Sequence, residues 1–498
     1  AEIVLLENVN DTQATMAITF IKSILRQCRY YGIDVVSQIW QSIPEDQRNQ
    51  LKQALIRGIM FPKDDLRNMA SSTLAIIAQL EYPEMWPDFF NVLTTLCQDQ
   101  SFGTSAVVGV LQTLSDAFTS INFIRPRYTK EQDNALEIVC SLSFQVLQQD
   151  VDSSMKSAAV NMLINAFKTT FYRKFRNNAE LIETTFQHLL DNFEIEDEVL
   201  HQLIYEFFLI SFKKIYEKLF PQQVTEIAQA VTRDLQSGNY DYQKTALSFL
   251  RKCAKQEKEF LNQHIAKEDS TFTGTCSQNF TESIMPLLAC LDEVYNEDEN
   301  ESLSHYTYRT LKTFVFFDTE NVINIGMEYF NQNKDDEDWK VRCSSVIALK
   351  AITSINFDDN KIIWSLFSDI VTLSQDPVIN VRLYSNLIAS LVKKYMLIED
   401  SAKEVQFIAD FCTELLQQDV QQSMAACKIL INFIKRYDKE DYSSPLGIDE
   451  LFTALLKALW SQVDRPEIQE QKFYFYVDRA ICSLIVNSPY PTIETRRA

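Results

Sequence analysis

Four histidines, His188, His201, His264 and His305, are the side chains here best suited to moving a proton near neutral pH. Each stands alone, without the second polar group that acid–base work places beside it. They read as surface or helix-packing residues. No HExxH pair is present to hold a catalytic zinc, and no GxxxxGK or GxGxxG stretch to cradle phosphate. The cysteines are scattered singly, at Cys28, Cys97, Cys140, Cys253, Cys276, Cys290, Cys343, Cys412, Cys427 and Cys482, with no CxxC pair. Most fall on apolar helical faces, where cysteine behaves as a small hydrophobe. The acidic pair Asp335–Asp336 precedes a helix start, where the helix dipole accounts for it. The expectation is a protein that is not an enzyme and carries no cofactor or metal.

The one dense functional group is carboxylate. Six of the ten residues from Asp292 to Glu301 are acidic: Asp292, Glu293, Glu297, Asp298, Glu299 and Glu301. The run lacks the glycine and the alternating ligands of a calcium loop. It reads either as a solvated loop or as a docking arm for a basic protein surface. The whole chain has a formal net charge of −21. Nucleic acid is therefore not an expected partner, since phosphate binding needs a basic footprint. An acidic surface attracts basic proteins instead, and also serves solubility. No run is apolar and long enough to span a membrane. Unpaired cysteines point to a reducing compartment, the cytosol or nucleus. No signal peptide is visible, and the start looks trimmed.

What could position such surfaces follows from composition and period. The 498 residues include only 8 Gly and 12 Pro, where average usage would give roughly 35 Gly. Long helices with short connections fit that shortage. A helix with one recurring signature appears at 64–78, 153–167, 240–254, 305–317, 338–352, 380–395 and 422–437. Looser copies lie at 103–118, 197–212 and 468–485. Another apolar helix precedes each copy, as at 134–149, 179–193 and 360–375. Successive copies lie mostly 33–47 residues apart, the period of a two-helix repeat. The expected fold is all-α: a HEAT/armadillo-type α-solenoid, a right-handed superhelix of stacked helix pairs. It would run continuously over 1–498 with ten or eleven repeats. The acidic run then becomes a loop at 292–304, inserted between the two helices of one repeat.

Residues 61–92 show the unit most clearly. Asp64 and Asp65 suit a helix N-terminus. Met69, Thr73, Leu74, Ile76, Ile77 and Leu80 give an apolar stripe at helical spacing. Pro83 ends that helix and Pro87 can open the next, with Trp86, Phe89, Phe90 and Leu93 on its buried face. Arg67, Arg342 and Arg382 hold one position in their repeats, each with an acid a few residues upstream. They could form a ladder that sets the angle between repeats, or a row that binds a ligand.

The order of these segments resembles the N-terminal region of importin-β (karyopherin-β) proteins. QIWQSIPEDQRNQLKQALIRGI (38–59) is followed by the segment Glu81-Tyr82-Pro83-Glu84-Met85-Trp86-Pro87, which is similar to the family's E-x-P-x-x-W-P sequence. MKSAAVNMLINAF (155–167), LIETTFQHLL (181–190) and DEDWKVRCSSVIALKAI (336–352) resemble its later repeats, and an acidic loop inside the eighth repeat is a family feature. The resemblance covers essentially the whole chain. It implies the N-terminal portion of a longer nuclear transport receptor, which keeps the Ran-binding start, the acidic loop and the main nucleoporin site. Most of the surface that grips importin-α would be missing.

The resemblance also implies sites and partners. A nucleoporin slot would lie between the outer helices of two repeats, with Glu183 and Phe186 on one and Val139, Cys140 and Leu142 on the other. Insertion of one Phe ring there would contribute roughly 2 kcal/mol, and many such weak sites give avidity with fast exchange. Asp298, Glu299 and Glu301 are the candidates for contacting the basic patch of Ran-GTP. Cargo would be basic, or an importin-α adaptor. The Trp that commonly follows the family's acidic loop is absent from SLSHYTYR (302–309), where Tyr306 or Tyr308 could substitute in part. The receptor would shuttle between cytoplasm and nucleus through the nuclear pore. The rival readings are a HEAT-repeat structural scaffold subunit, which the irregular repeat lengths disfavour, and another karyopherin such as an exportin.

Overall fold

The computed structural model describes residues 11–30, 33–98, 103–120, 129–168, 177–216, 221–263, 271–291, 302–353, 366, 369–382, 385, 401–434, 448–469 and 471–486. These are helices and short connections, with no strand among the described residues. The chain divides into two compact units, Ala1–Gln256 and Glu257–Ala498.

In the first unit α1 (Asp11–Tyr30) and α2 (Ile33–Ser42) precede a series of helix pairs. The pairs are α3 (Glu45–Gly58) with α4 (Asp64–Glu81), α5 (Phe89–Gln98) with α6 (Thr104–Ser120), and α7 (Thr129–Gln148) with α8 (Ser153–Lys168). Next come α9 (Ala179–Asp191) with α10 (Glu198–Ile215), then α11 (Pro221–Gln236) and α12 (Tyr240–Asn262). Second helices pack on second helices: α1 on α4, α4 on α6, α6 on α8, α8 on α10. First helices do the same, α5 on α7, α7 on α9 and α9 on α11. Each amphipathic helix thus hides its stripe only against its partner and the neighbouring repeats, the stacking of HEAT-type solenoids.

Local chemistry fixes the helix ends. Asn178 caps α9 by accepting from Leu181 N at 3.0 Å, and Asp197 caps α10 by accepting from Leu200 N at 2.8 Å. Aromatics fill the seams, Phe186 stacking on Phe208 at 5.3 Å and Phe167 meeting Phe207 at 5.3 Å. A polar cluster joins α10 to α11. Tyr205 Oη donates to Asp234 Oδ2 at 2.8 Å, with His201 Nδ1 at 3.1 Å from the same oxygen. His201 therefore packs between helices, its ring stacked 4.6 Å from Tyr242.

The expected start of α4 at Asp64 holds, and Thr73, Leu74, Ile76 and Ile77 are buried while Met69 is half-buried. The helix after it begins at Phe89, two residues later than Pro87 would place it. Residues 82–88 stay in turns because Trp86 must fold back into the core. Its ring lies 5.0 Å from Phe89, with the Lys52 ammonium 4.7 Å above it.

The second unit repeats the plan. α13 (Phe272–Ile284) with its 3-10 turn pairs with α14 (Leu303–Phe314), and α15 (Thr319–Asn333) with α16 (Trp339–Thr353). α17 (Ser401–Leu416) pairs with α18 (Val420–Ile434), and α19 (Ile448–Trp460) with α20 (Gln471–Val486). Between repeats α13 packs on α15, α14 on α16, α17 on α19 and α18 on α20. Buried Glu257, the first residue of this unit and part of the last turns of α12, holds the start of α13, accepting from Phe272 N at 2.6 Å and Thr273 N at 3.0 Å. Of the helices expected at 360–375 and 380–395, only residues 366, 369–382 and 385 are described.

Candidate protein-binding surfaces

The expected slot lies where α7 and α9 pack side by side. Val139, Cys140, Leu142 and Phe186 are buried at 0%, 4%, 4% and 1% exposure. Glu183, one turn from Phe186, is exposed. The four apolar candidates are thus core residues, Phe186 packing on Phe207 and Phe208 of α10, while Glu183 faces solvent. Burial pushes the Cys140 thiol up to about 12, so it serves as a hydrophobe rather than a nucleophile.

Two residues outside the expected slot set, Phe144 and His188, meet at this seam. The rings of Phe144 on α7 and His188 on α9 lie 4.8 Å apart, both half-buried. Gln148 Nε2 sits 3.3 Å from His188 Nε2. Burial holds the His188 imidazole below the usual histidine range, against an opposing pull from Asp191. The available signal was spacing: Phe144 follows Cys140 by one turn of α7, and His188 follows Glu183 by little more on α9.

Asp298, Glu299 and Glu301 lie outside the described residues, as does all of 292–301. The elements on either side are described. The 3-10 turn Met285–Ala289 precedes the run, and α14 follows it, capped by Ser302 accepting from His305 N at 3.2 Å. α13 and α14, on either side of the run in sequence, pack on each other. Tyr306 and Tyr308 are half-buried on α14, and the Lys350 ammonium lies 5.3 Å from the Tyr308 ring.

The three arginines share one arrangement. Arg67 donates to the carbonyls of Phe61 and Pro62, Arg342 to those of Asp336 and Glu337, and Arg382 to those of Asp376 and Pro377. Each guanidinium thereby ties down the turn that leads into its own helix. Arg342 also crosses to the next repeat, binding Asp376 through both carboxylate oxygens at 2.7 Å and 3.1 Å. Arg382 continues to Asp419 at 3.9 Å. Arg67 pairs instead with Asp64 of its own helix. The ladder therefore exists from Arg342 onward as a structural device within the second unit.

Residues 64–208, from α4 into α10, match the family model described as Exportin 1-like protein. Among solved structures, Kap95p in complex with RanGDP superposes with a TM-score of 0.81 at 15% identity, over 99% of this chain and 57% of that one. Kap95p is yeast importin-β. The complex of Kap95 with Nup1 gives 0.78 at 15% identity over the same shares. The karyopherin Kap121p, bound to the extreme C-terminus of the phosphatase Cdc14p, gives 0.71 at 14% identity over 98% of this chain and 45% of that one.

The chain has the importin-β fold. It resembles the N-terminal portion of the importin-β (karyopherin) family, and it spans 57% of the Kap95p chains it matches. A comparison with curated protein sequences finds no match.

Proposed function

We propose that this chain works as a nuclear transport receptor of the importin-β type. In this reading it binds cargo, phenylalanine-glycine nucleoporins and Ran-GTP, and moves between cytoplasm and nucleus through the pore. The observation that carries it is the superposition of 99% of the chain on Kap95p, a protein solved with RanGDP and with Nup1. The work is binding alone. One continuous solenoid over 1–498 would be a spring of small repeat interfaces, whose pitch changes at low energetic cost. Ran-GTP and an import cargo prefer different pitches or overlapping surfaces, so each lowers the other's affinity through linkage.

The sites follow the same reading. Glu183 and the Phe144–His188 edge form the mouth of a nucleoporin slot, with Val139, Cys140, Leu142 and Phe186 as its floor. A phenylalanine ring enters by parting the rim rather than by filling a standing hole. Asp298, Glu299 and Glu301 supply carboxylates to the basic patch of Ran. Cargo is basic, directly or through an importin-α adaptor. The test is a pull-down with Ran loaded with GTP or GDP, alongside capture on immobilised FG peptides. Retention of the GTP form and of FG peptides supports the reading; indifference to nucleotide overturns it.

An exporter is the second reading, and the Exportin 1-like match over 64–208 is what favours it. The sign of the coupling separates the two. Ran-GTP would displace an import cargo and tighten an export cargo.

A further inference from the structure

The solvent stripe of α14 is opposite in sign to the chain that carries it. α14 reads LSHYTYRTLKTF and contains no acidic residue, in a protein of net charge −21. Arg309 and Lys312 are exposed one turn apart on it, and Phe316 follows one turn beyond, 40% exposed. Two further cations flank the stripe from neighbouring helices. The Lys258 ammonium of α12 lies 4.2 Å from the Phe316 ring, and Lys350 of α16 lies 5.3 Å from the Tyr308 ring. α16 reads WKVRCSSVIALKAIT and also lacks an acid. Lys258 and Lys312 form no ion pair among the described residues. The nearest described carboxylate in sequence, Asp318, is engaged by Ser277 Oγ and by Asn321.

Most of an acidic surface repels an acidic peptide, so a cationic stripe on it is a place where such a peptide gains. The aromatic rings add flat apolar area beside the charges, and the cations above them are already held in place by the ring quadrupoles. Little side-chain freedom is then lost when a carboxylate arrives. We infer that the α14 face, with Lys258, Tyr308, Arg309, Lys312, Phe316 and Lys350, docks an acidic peptide segment of a second protein. This surface is distinct from the basic cargo and the nucleoporin ligands of the transport reading, and its argument does not depend on that reading.

The probe is a fluorescein-labelled Glu-rich peptide containing phenylalanine, titrated with the full chain in anisotropy. Wild type binds, and its log Kd rises linearly with log salt. The pair Arg309→Gln with Lys312→Gln weakens binding about tenfold and flattens the salt dependence, because two of the contributing charges are gone. Phe316→Ala weakens it severalfold without changing that slope. Lys457→Gln, an exposed lysine on α19, tests the general charge effect and leaves affinity unchanged. Equal loss from Lys457→Gln, or no binding by wild type, overturns the proposal. So does binding that arises only when Asp298, Glu299 and Glu301 are neutralised, since the stripe's occupant would then be the chain's own acidic run.

Discussion

Trp40 donates its indole N–H to Glu81 Oε1 at 2.9 Å, across 41 residues of sequence. Both are buried, at 2% and 1% exposure. Glu81 also accepts from Lys52 at 2.7 Å through its other oxygen and from Arg48 at 3.3 Å, so one carboxylate gathers two cations and an indole. Lys52 in turn lies over the Trp86 ring. The acid and the tryptophan of the E-x-P-x-x-W-P segment thus act together through a lysine from the preceding helix. A carboxylate taken out of water is tolerated only when its lone pairs are fully used, as they are here.

Glu81→Gln should destabilise the first unit by about 3 kcal/mol, because it leaves two poorly hydrated cations without a counter-charge. Trp40→Phe removes the N–H and part of the buried ring but leaves the charges paired, and should cost about 1–2 kcal/mol. Urea unfolding of the two variants checks the ranking. An equal cost would mean that packing, not charge, holds the cluster.

Arg342→Lys should lower the stability of the second unit by about 2 kcal/mol. A lysine cannot keep the two-point contact with Asp376 and the two turn carbonyls at once. Asp376→Asn should cost less, and the double variant should show coupling of about 1 kcal/mol in a thermodynamic cycle. Arg67 offers the internal comparison. Its carboxylate partner lies in its own helix, so Arg67→Lys should show no charge coupling to a carboxylate of the next repeat.

Helices and their period were readable because a stacked repeat must keep its apolar stripes at 3.6-residue spacing, whatever its ligands. The Arg342–Asp376 rung was half readable: the position recurs, but only the fold brings 376 to 342. The Glu81 cluster was not readable as a cluster. A glutamate in the last turn of a helix looks like any surface acid, and its partners lie 29 to 41 residues upstream. His188 is the helix-packing residue the sequence suggested, but its partner, Phe144 of the preceding repeat, was not readable. Likewise the acidic run at 292–301 drew attention away from the basic stripe that follows it on α14.

Glu183→Ala separates binding from folding at the α7–α9 seam. The side chain is exposed, so stability should change by less than about 0.5 kcal/mol. Affinity for an FG peptide should fall severalfold. Phe186→Ala should instead cost about 3–5 kcal/mol, since its ring is 1% exposed and stacked on Phe208. Unchanged FG binding by folded Glu183→Ala would remove this seam from the list of nucleoporin sites.

Asp318 gives the second unit an acid-sensitive joint. Burial alone would raise its pKa, but hydrogen bonds from Ser277 and Asn321 outweigh that and lower it. A lowered folded value means that the stabilisation is fully present above the ordinary aspartate value of 3.8 and is lost as pH falls through the lowered one. Asp318→Asn should therefore be less stable than wild type at neutral pH and converge with it in acid. Urea midpoints measured down the acid limb check this, and a constant gap would assign the effect to shape rather than charge.

At Gly109 two repeats approach backbone to backbone. A Cβ built there would sit 1.9 Å from the Ile59 carbonyl oxygen and 3.0 Å from Arg67 Cδ. The carbonyl belongs to the backbone of the turn after α3, so it cannot swing aside as a side-chain end could. The Gly109 carbonyl also accepts from Ser71 Oγ of α4 at 3.2 Å, which ties α6 to α4. Gly109→Ala would ordinarily favour a helix by about 1 kcal/mol. Here the clash should reverse that sign and cost about 1–3 kcal/mol. Gly103→Ala, at the N-cap of α6 with open space around its Cβ, has no clash and should cost no more than about 1 kcal/mol, the usual loss of Gly at a cap. Urea unfolding of both variants decides it, and a stabilised Gly109→Ala would mean that α4 and α6 can slide apart without loss.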